Sequence, residues 1–191
     1  NAVFSSKDGV LFNSNQSTII SFPIGRVGNY DMPDSVKTVG EAAFITSNLS
    51  SVTISSSLEE IQDHGFAGAT VSSSVPIGTL AEFVGLENSK LKTVGRGAFA
   101  STSIRTLSFP DTLVSVGDTE DPFGSPFGGV SGSNPILELI ITRSALTKPV
   151  SLAYNDSEDG WYYNFSSKVE YVQPAGIYSN KLFERDWKVE Q

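Results

Sequence analysis

The chain has 191 residues and a formal charge of −8, from 13 Lys and Arg against 21 Asp and Glu. That length suffices for one domain with a sizeable core, while the charge argues against a nucleic-acid ligand, whose binding is driven by Lys and Arg releasing condensed counterions. With no Cys, disulfide scaffolds, thiolate metal sites and cysteine nucleophiles are excluded, and a single His makes most catalytic triads impossible.

Asn1-Ala2-Val3 has neither the charged n-region nor the apolar h-region of a signal peptide, so the start reads as trimmed, with an export signal already removed. Val10-Leu11-Phe12 and Thr18 to Phe22 flank the turn formers Asn13-Ser14-Asn15-Gln16, which predicts a β-hairpin within a segment 1–29. That hairpin is expected to cap the units that follow, because an open sheet edge offers unpaired backbone groups.

From residue 30 one phrase recurs: Val39-Gly40-Glu41-Ala42-Ala43-Phe44, Ile61-Gln62-Asp63-His64-Gly65-Phe66, Val94-Gly95-Arg96-Gly97-Ala98-Phe99, and a damaged copy from Val116-Gly117 to Phe123. An aliphatic residue (Val36, Leu58, Leu91) stands three positions ahead of each intact copy, and upstream the segments Tyr30 to Val36, Val52 to Leu58 and Leu107 to Leu113 align without gaps. Phe44 and Phe66 are 22 residues apart, inside the range of about 20–29 for leucine-rich repeats. One such unit is a short strand with tight turns that cannot bury its own apolar side. The spacing therefore predicts a β-rich leucine-rich-repeat solenoid of about four to five irregular repeats of roughly 22–33 residues over 30–143, with little helix and with Phe44, Phe66 and Phe99 as a buried ladder. The third unit is enlarged to 33 residues between Phe66 and Phe99, so Val71 to Val84 must hold an irregular strand and an insertion. In the fourth unit, Gly and Pro between Asp118 and Gly129 interrupt any regular element.

Leu137 to Thr142 reads as a buried strand. The apolar run around it, Ile136 to Ile141, contains Glu138 and is far too short to span a bilayer. Ser151 to Tyr154, Trp161 to Phe165 and Val169 to Val172 read as strands of a C-terminal cap over 144–191, and Ile177 to Trp187 as the one plausible helix, with Leu182, Phe183 and Trp187 on one side.

Leu49-Ser50-Ser51-Val52-Thr53-Ile54-Ser55-Ser56-Ser57-Leu58-Glu59-Glu60-Ile61, closing on Gly65-Phe66, resembles the BspA-like leucine-rich repeat, L-x-x-V-x-I-P-x-S-L-x-x-I-G-x-x-A-F. Phe4 to Phe12 with Thr18 to Pro23 is similar to the F-x-x-x-D-G-V-L segment that often precedes such repeats, and Val169 to Gly176 to the V-P-A-G segment that closes many arrays, with Gln173 as an extra residue. Family members often carry Cys three residues after Phe; here those positions are Ser47, Ala69 and Thr102, and small size is what stacking needs. The resemblance implies an exported or surface-anchored protein of a mucosal bacterium, or of a protozoan with similar repeats, engaging host proteins or other cells.

Catalytic and metal chemistry find little support. His64 sits in a turn and is expected to face solvent, and the carboxylate pairs Glu59-Glu60 and Asp156/Asp159 are read as a solvated acidic surface. Gly25-Arg26-Val27-Gly28 lacks the Gly-Lys-[Ser/Thr] ending of a phosphate loop. Asn155 to Gly160 imitates the start of a calcium loop, yet its twelfth position is Ser166 where a bidentate Glu is required. Asn15, Asn48, Asn155 and Asn164 head N-x-[Ser/Thr] sequons, as a chain rich in Ser and Thr produces by chance. No enzyme, metal or cofactor is expected.

The residues between the inward-facing aliphatics should instead point outward along a continuous sheet: Asn29 and Asp31, Ser51 and Thr53, Thr106 and Ser108, then Glu138 and Ile140. Such a face suits an extended protein partner, a host extracellular-matrix or cell-surface protein in the reading that the resemblance favours. Two alternatives stay open: a stalk that only holds another domain away from a surface, and a glycan-binding module using Trp161, Tyr162 and Tyr163.

Overall fold

A computed structural model describes residues 3–45, 47–68, 80–99, 102, 104 and 106–116, together with strand segments at 138–141, 155–156, 161–162, 176–179 and 188–189. The N-terminal segment folds as β1 (Phe4–Lys7), β2 (Val10–Asn13) and β3 (Thr18–Ser21), an antiparallel meander. Asp8 and Gly9 make the first turn with φ of 51° and 81°, the pair of positive angles that a two-residue hairpin loop demands and that Asp-Gly supplies. In the second turn the Asn13 carboxamide replaces backbone partners. Its Oδ1 accepts from the Ser17 and Thr18 N–H groups at 2.9 and 3.0 Å, and its Nδ2 donates to the Ser17 and Thr18 hydroxyls at 3.0 and 3.2 Å.

Beyond the hairpin the chain winds, and each turn leaves one two-residue strand in a common sheet: β5 (Thr38–Val39), β7 (Glu60–Ile61), β9 (Thr93–Val94) and β11 (Ser115–Val116). These pair in parallel with one another, and β3 pairs with β5 in the same sense, so the hairpin extends the sheet to seven strands. Ile19, Val39, Ile61 and Val94 lie side by side in this ladder and are buried. The repeating valine or isoleucine of the sequence phrase is thus the inward strand residue of each turn.

A second parallel ladder holds β4 (Val27–Asp31), β6 (Asn48–Thr53) and β8 (Glu82–Val84), with Tyr30, Val52 and Phe83 in register. β8 is the strand of the enlarged third unit, and it ends in the left-handed Gly85 and a short 3-10 helix, Leu86–Asn88. A third sheet contains β10 (Thr106–Phe109), β12 (Glu138–Ile141), β15 (Gly176–Ser179) and β16 (Lys188–Val189), parallel at β10–β12 and antiparallel thereafter. Asn155–Asp156 (β13) pairs antiparallel with Trp161–Tyr162 (β14).

Two expectations are corrected here. The outward-facing strands do not make one continuous sheet, because β6 is followed by β8, while β10 belongs with β12 in a separate sheet. Nor does a helix begin at Ile177: residues 176–179 are extended and paired with β12, Ile177 opposite Ile140 and Tyr178 opposite Leu139. Pairing satisfies their backbone groups, and an Ile-Tyr pair suits a pleated surface better than a helix. Residues 180–187 lie outside those described, as do 151–154, 169–172 and the interrupted fourth unit.

The core is an aromatic stack. Phe22, Phe44 and Phe66 follow one another at centroid separations of 4.8 and 4.7 Å with rings 21° and 26° from parallel, and Phe99 continues at 6.3 Å and 4°. Phe83 from β8 stands edge-on to both Phe66 and Phe99, which accounts for the wider last step. Two residues ahead of each repeated Phe the backbone is left-handed: φ is 52° at Ala42, 57° at His64 and 56° at Gly97. This geometry turns N–H groups toward the next repeat, so Ala42 and Phe44 donate to the Asp63 and Gly65 carbonyls, and His64 and Phe66 to those of Arg96 and Ala98. Small side chains then close the turn: Ser47 and Thr102 are buried, the latter donating to the Phe99 carbonyl at 2.8 Å.

Candidate interaction face

The outer side of β4, β6 and β8 carries two rows. Asn29, Ser51 and Glu82 form one, and Asp31, Thr53 and Val84 the other, each residue in register with the next. All are exposed except Ser51, which is half-buried. The inward neighbours Tyr30 and Val52 are buried and Phe83 packs against the core, so strand alternation fixes which side chains are offered to solvent. One extra residue, Ser50, bulges out where the pairing shifts between Gly28 and Asn29. The Thr53 hydroxyl donates to Asp31 Oδ1 at 2.7 Å, which fixes the carboxylate against the sheet.

Of the residues expected on such a face, Asn29, Asp31, Ser51 and Thr53 come together here. Thr106 and Ser108 pair with Glu138 and Ile140 in the other sheet, Thr106 opposite Glu138 and Ser108 opposite Ile140, with Ser108 half-buried. Glu82 and Val84 were missed. The alternation in Leu80-Ala81-Glu82-Phe83-Val84 was the available signal, but it follows Val71, Val75 and Ile77, which compete for the same strand.

The opposite ladder is charged. Glu59 lies between Lys92 at 2.8 Å and Lys37 at 3.6 Å, and the hydrogen bond and charge of Lys92 hold its carboxyl below the usual range. Asp63 accepts from the Arg96 backbone N–H and guanidinium at 2.8 Å each. Beside it a shallow depression of about 340 Å³ is lined by Glu41, Glu60, Gln62, Asp63, Thr93 and Gly95. His64 is exposed on the same turn, its ring lying where a Cβ on Gly97 would come within 2.7 Å. Among the described residues no group of three or more His, Cys, Asp or Glu could hold a metal ion, and no helix is long and apolar enough to cross a membrane.

Residues 26–120 match the model of the BspA type leucine rich repeat region, in six copies. Among solved structures, the pneumococcal vaccine antigen PcpA is similar at 19% identity and a TM-score of 0.45, over 71% of this chain and 36% of that one. A leucine-rich repeat protein from Eubacterium ventriosum is similar at 25% identity and a TM-score of 0.35, over 60% of this chain and 32% of that one. This chain thus spans about a third of the length of either. A comparison with curated protein sequences gives no match.

Proposed function

We propose that this chain, which belongs to the BspA-type leucine-rich repeat family, is a non-enzymatic protein-interaction module of a bacterial secreted or cell-surface protein, and that it serves adhesion to host or extracellular-matrix proteins. The observation that carries this reading is the face of β4, β6 and β8: two registered rows in which short polar side chains predominate, with Glu82 and Val84 at one end, held by a buried aromatic stack. A sheet face of exposed, registered side chains suits a protein partner better than a small substrate, which takes a concave and mostly apolar site. It offers hydrogen-bonding groups at little side-chain entropy cost, but few of the aromatic or Arg anchors that dominate tight interfaces. Affinity per copy is therefore modest, and attachment strength comes from many copies on one surface acting together. The stalk reading assigns this face no partner.

Beads coated with the protein, with Thr53→Arg, and with Thr53→Arg/Glu82→Arg should be scored for adhesion to matrix proteins beside a thermal melt. The two variants should lose adhesion by at least about tenfold, as truncating or blocking an interface centre does, with melts close to that of the parent. Full adhesion by both variants with unchanged melts leaves the stalk as the better account.

A further inference from the structure

We propose that the free edge of β4 accepts an extended, basic strand from a partner protein. The N-terminal hairpin continues only one of the two parallel ladders. It places β3 beside β5, whereas β4, the first strand of the three-stranded sheet, has β6 on one side and, among the described residues, no strand on the other. Met32 N–H reaches across to the Thr53 carbonyl at 3.0 Å and Ile54 N–H to that of Val84 at 2.9 Å. By the two-residue alternation of a strand, Tyr30 also faces β6, and the backbone N–H and C=O of Asn29 and Asp31 point the other way. No group among the described residues bonds these four outward positions. They form an acceptor for β-strand addition, in which main-chain hydrogen bonds supply affinity and alternate side chains supply specificity.

Proteins usually blunt such an edge with Lys, Pro or an outward bulge. The edge of the seven-stranded sheet at β1 ends in Lys7, but Val27–Asp31 contains no Lys or Pro, and the bulged residue of this pair is on β6. At the start of the edge Ile24 and Val27 are the two most exposed large apolar residues among those described, at 81% and 72%. A Cβ on Gly28 would meet nothing within 4 Å, so another backbone can come close there. Charge selects the visitor. Asp31 and Glu82 are the charged side chains of the adjoining face, and the nearby Arg26 is held over the rings of Phe22 and Tyr30, 5.5 Å from each, donating to the Asp8 carbonyl at 3.1 Å. A strand with Lys or Arg facing Asp31 and an apolar residue beside Val27 complements this edge. A second copy brings the same acidic face and its own charge of −8. The edge shares Asn29 and Asp31 with the exposed face, but it is recognised through its backbone groups, so amide hydrogen exchange reads it separately from adhesion by the face.

The probe is an acetylated octapeptide of threonines that carries one valine and one lysine four residues apart, so that both lie on the same face of a strand, with two analogues N-methylated at one or the other alternate set of amides. Its binding is read by fluorescence anisotropy, and its location by amide hydrogen exchange. Bound peptide should slow exchange at Asn29 and Asp31 by at least about tenfold, and methylation of one set only should weaken binding to the same degree, because only alternate amides face the edge. Val27→Lys and Asp31→Lys should each weaken binding while keeping the parent melt. No binding, protection elsewhere, or equal effects of the two methylation sets overturn the proposal. Concentration-dependent protection of Asn29 and Asp31 in the protein alone also overturns it, in favour of a second copy.

Discussion

Tyr30 shows how a single atom tunes this core. Its ring is 6% exposed and packs edge-on against Phe22 at 4.8 Å, yet its hydroxyl is buried without a hydrogen-bond partner. Burial pushes the phenol up to about 12, against the lowering effect of Arg26. Unfolded, the same group titrates near 10. The neutral form is therefore favoured in the fold, its stabilisation is whole below pH 10, and about 2 kcal/mol is lost as pH rises from about 10 to about 12. Tyr30→Phe should be neutral to mildly stabilising at pH 7, since it removes an unsatisfied polar atom, and should flatten that alkaline decline. Urea midpoints at pH 7, 10 and 11.5 check both; equal declines in the two proteins count against an orphaned hydroxyl. Legibility at this scale was uneven. Phe44, Phe66 and Phe99 announce themselves by a fixed offset from Val39, Ile61 and Val94. The left-handed position does not, because only Gly97 of the three occupants is a residue that conformation favours, while Ala42 and His64 are held in it by hydrogen bonds to the next repeat.

Among elements, the hairpin β2–β3 rests most heavily on one side chain. Asn13 makes four hydrogen bonds that close the turn, so Asn13→Ala leaves the half-buried Thr18 N–H to find water, while the Ser17 N–H keeps Asn15 Oδ1 at 3.1 Å, and should cost about 1–2 kcal/mol. Asn13→Asp keeps both acceptor bonds and should recover most of the loss in a denaturant melt; a similar cost for both variants places the effect in the backbone turn instead. This hairpin was readable because turn formers separate two apolar runs. β8 was not, because 31 residues separate Thr53 from its counterpart Val84 and several apolar candidates lie between. The segment from Ile177 misled for a different reason: spacing of Leu182, Phe183 and Trp187 suits a helix, but the pairing of Gly176–Ser179 with β12 depends on a strand some 40 residues earlier. Four of the six residues of the proposed face were legible by alignment with the repeat, and Glu82 and Val84 required the ladder itself.

Across the whole molecule the aromatic stack is the continuous element. Phe66 touches Phe44, Phe83 and Phe99 and is 1% exposed. Phe66→Ala removes contacts on three sides in an array where each unit is buried only by its neighbours, and should cost about 3–5 kcal/mol. Chemical denaturation reads the loss directly, and a change below about 1 kcal/mol means that the array has collapsed around the gap. The segments 1–29 and 144–191 remain our proposal for the two ends of the array; in the first of them β3 pairs with β5, and no strand among the described residues pairs with the outer side of β4.

The enlarged third unit bears on how the chain folds. Ile61 pairs with Val39 after 22 residues and with Val94 after 33, and closing the longer loop costs only about 0.4 kcal/mol more, since closure entropy grows with the logarithm of length. Every ladder contact in the array is thus made over a similar, short contour, and no single pairing is a bottleneck. Folding can begin between any two neighbouring turns and spread in both directions. Length variation between the ladders is then nearly free kinetically, so this architecture can lengthen a turn without slowing the search for its partner.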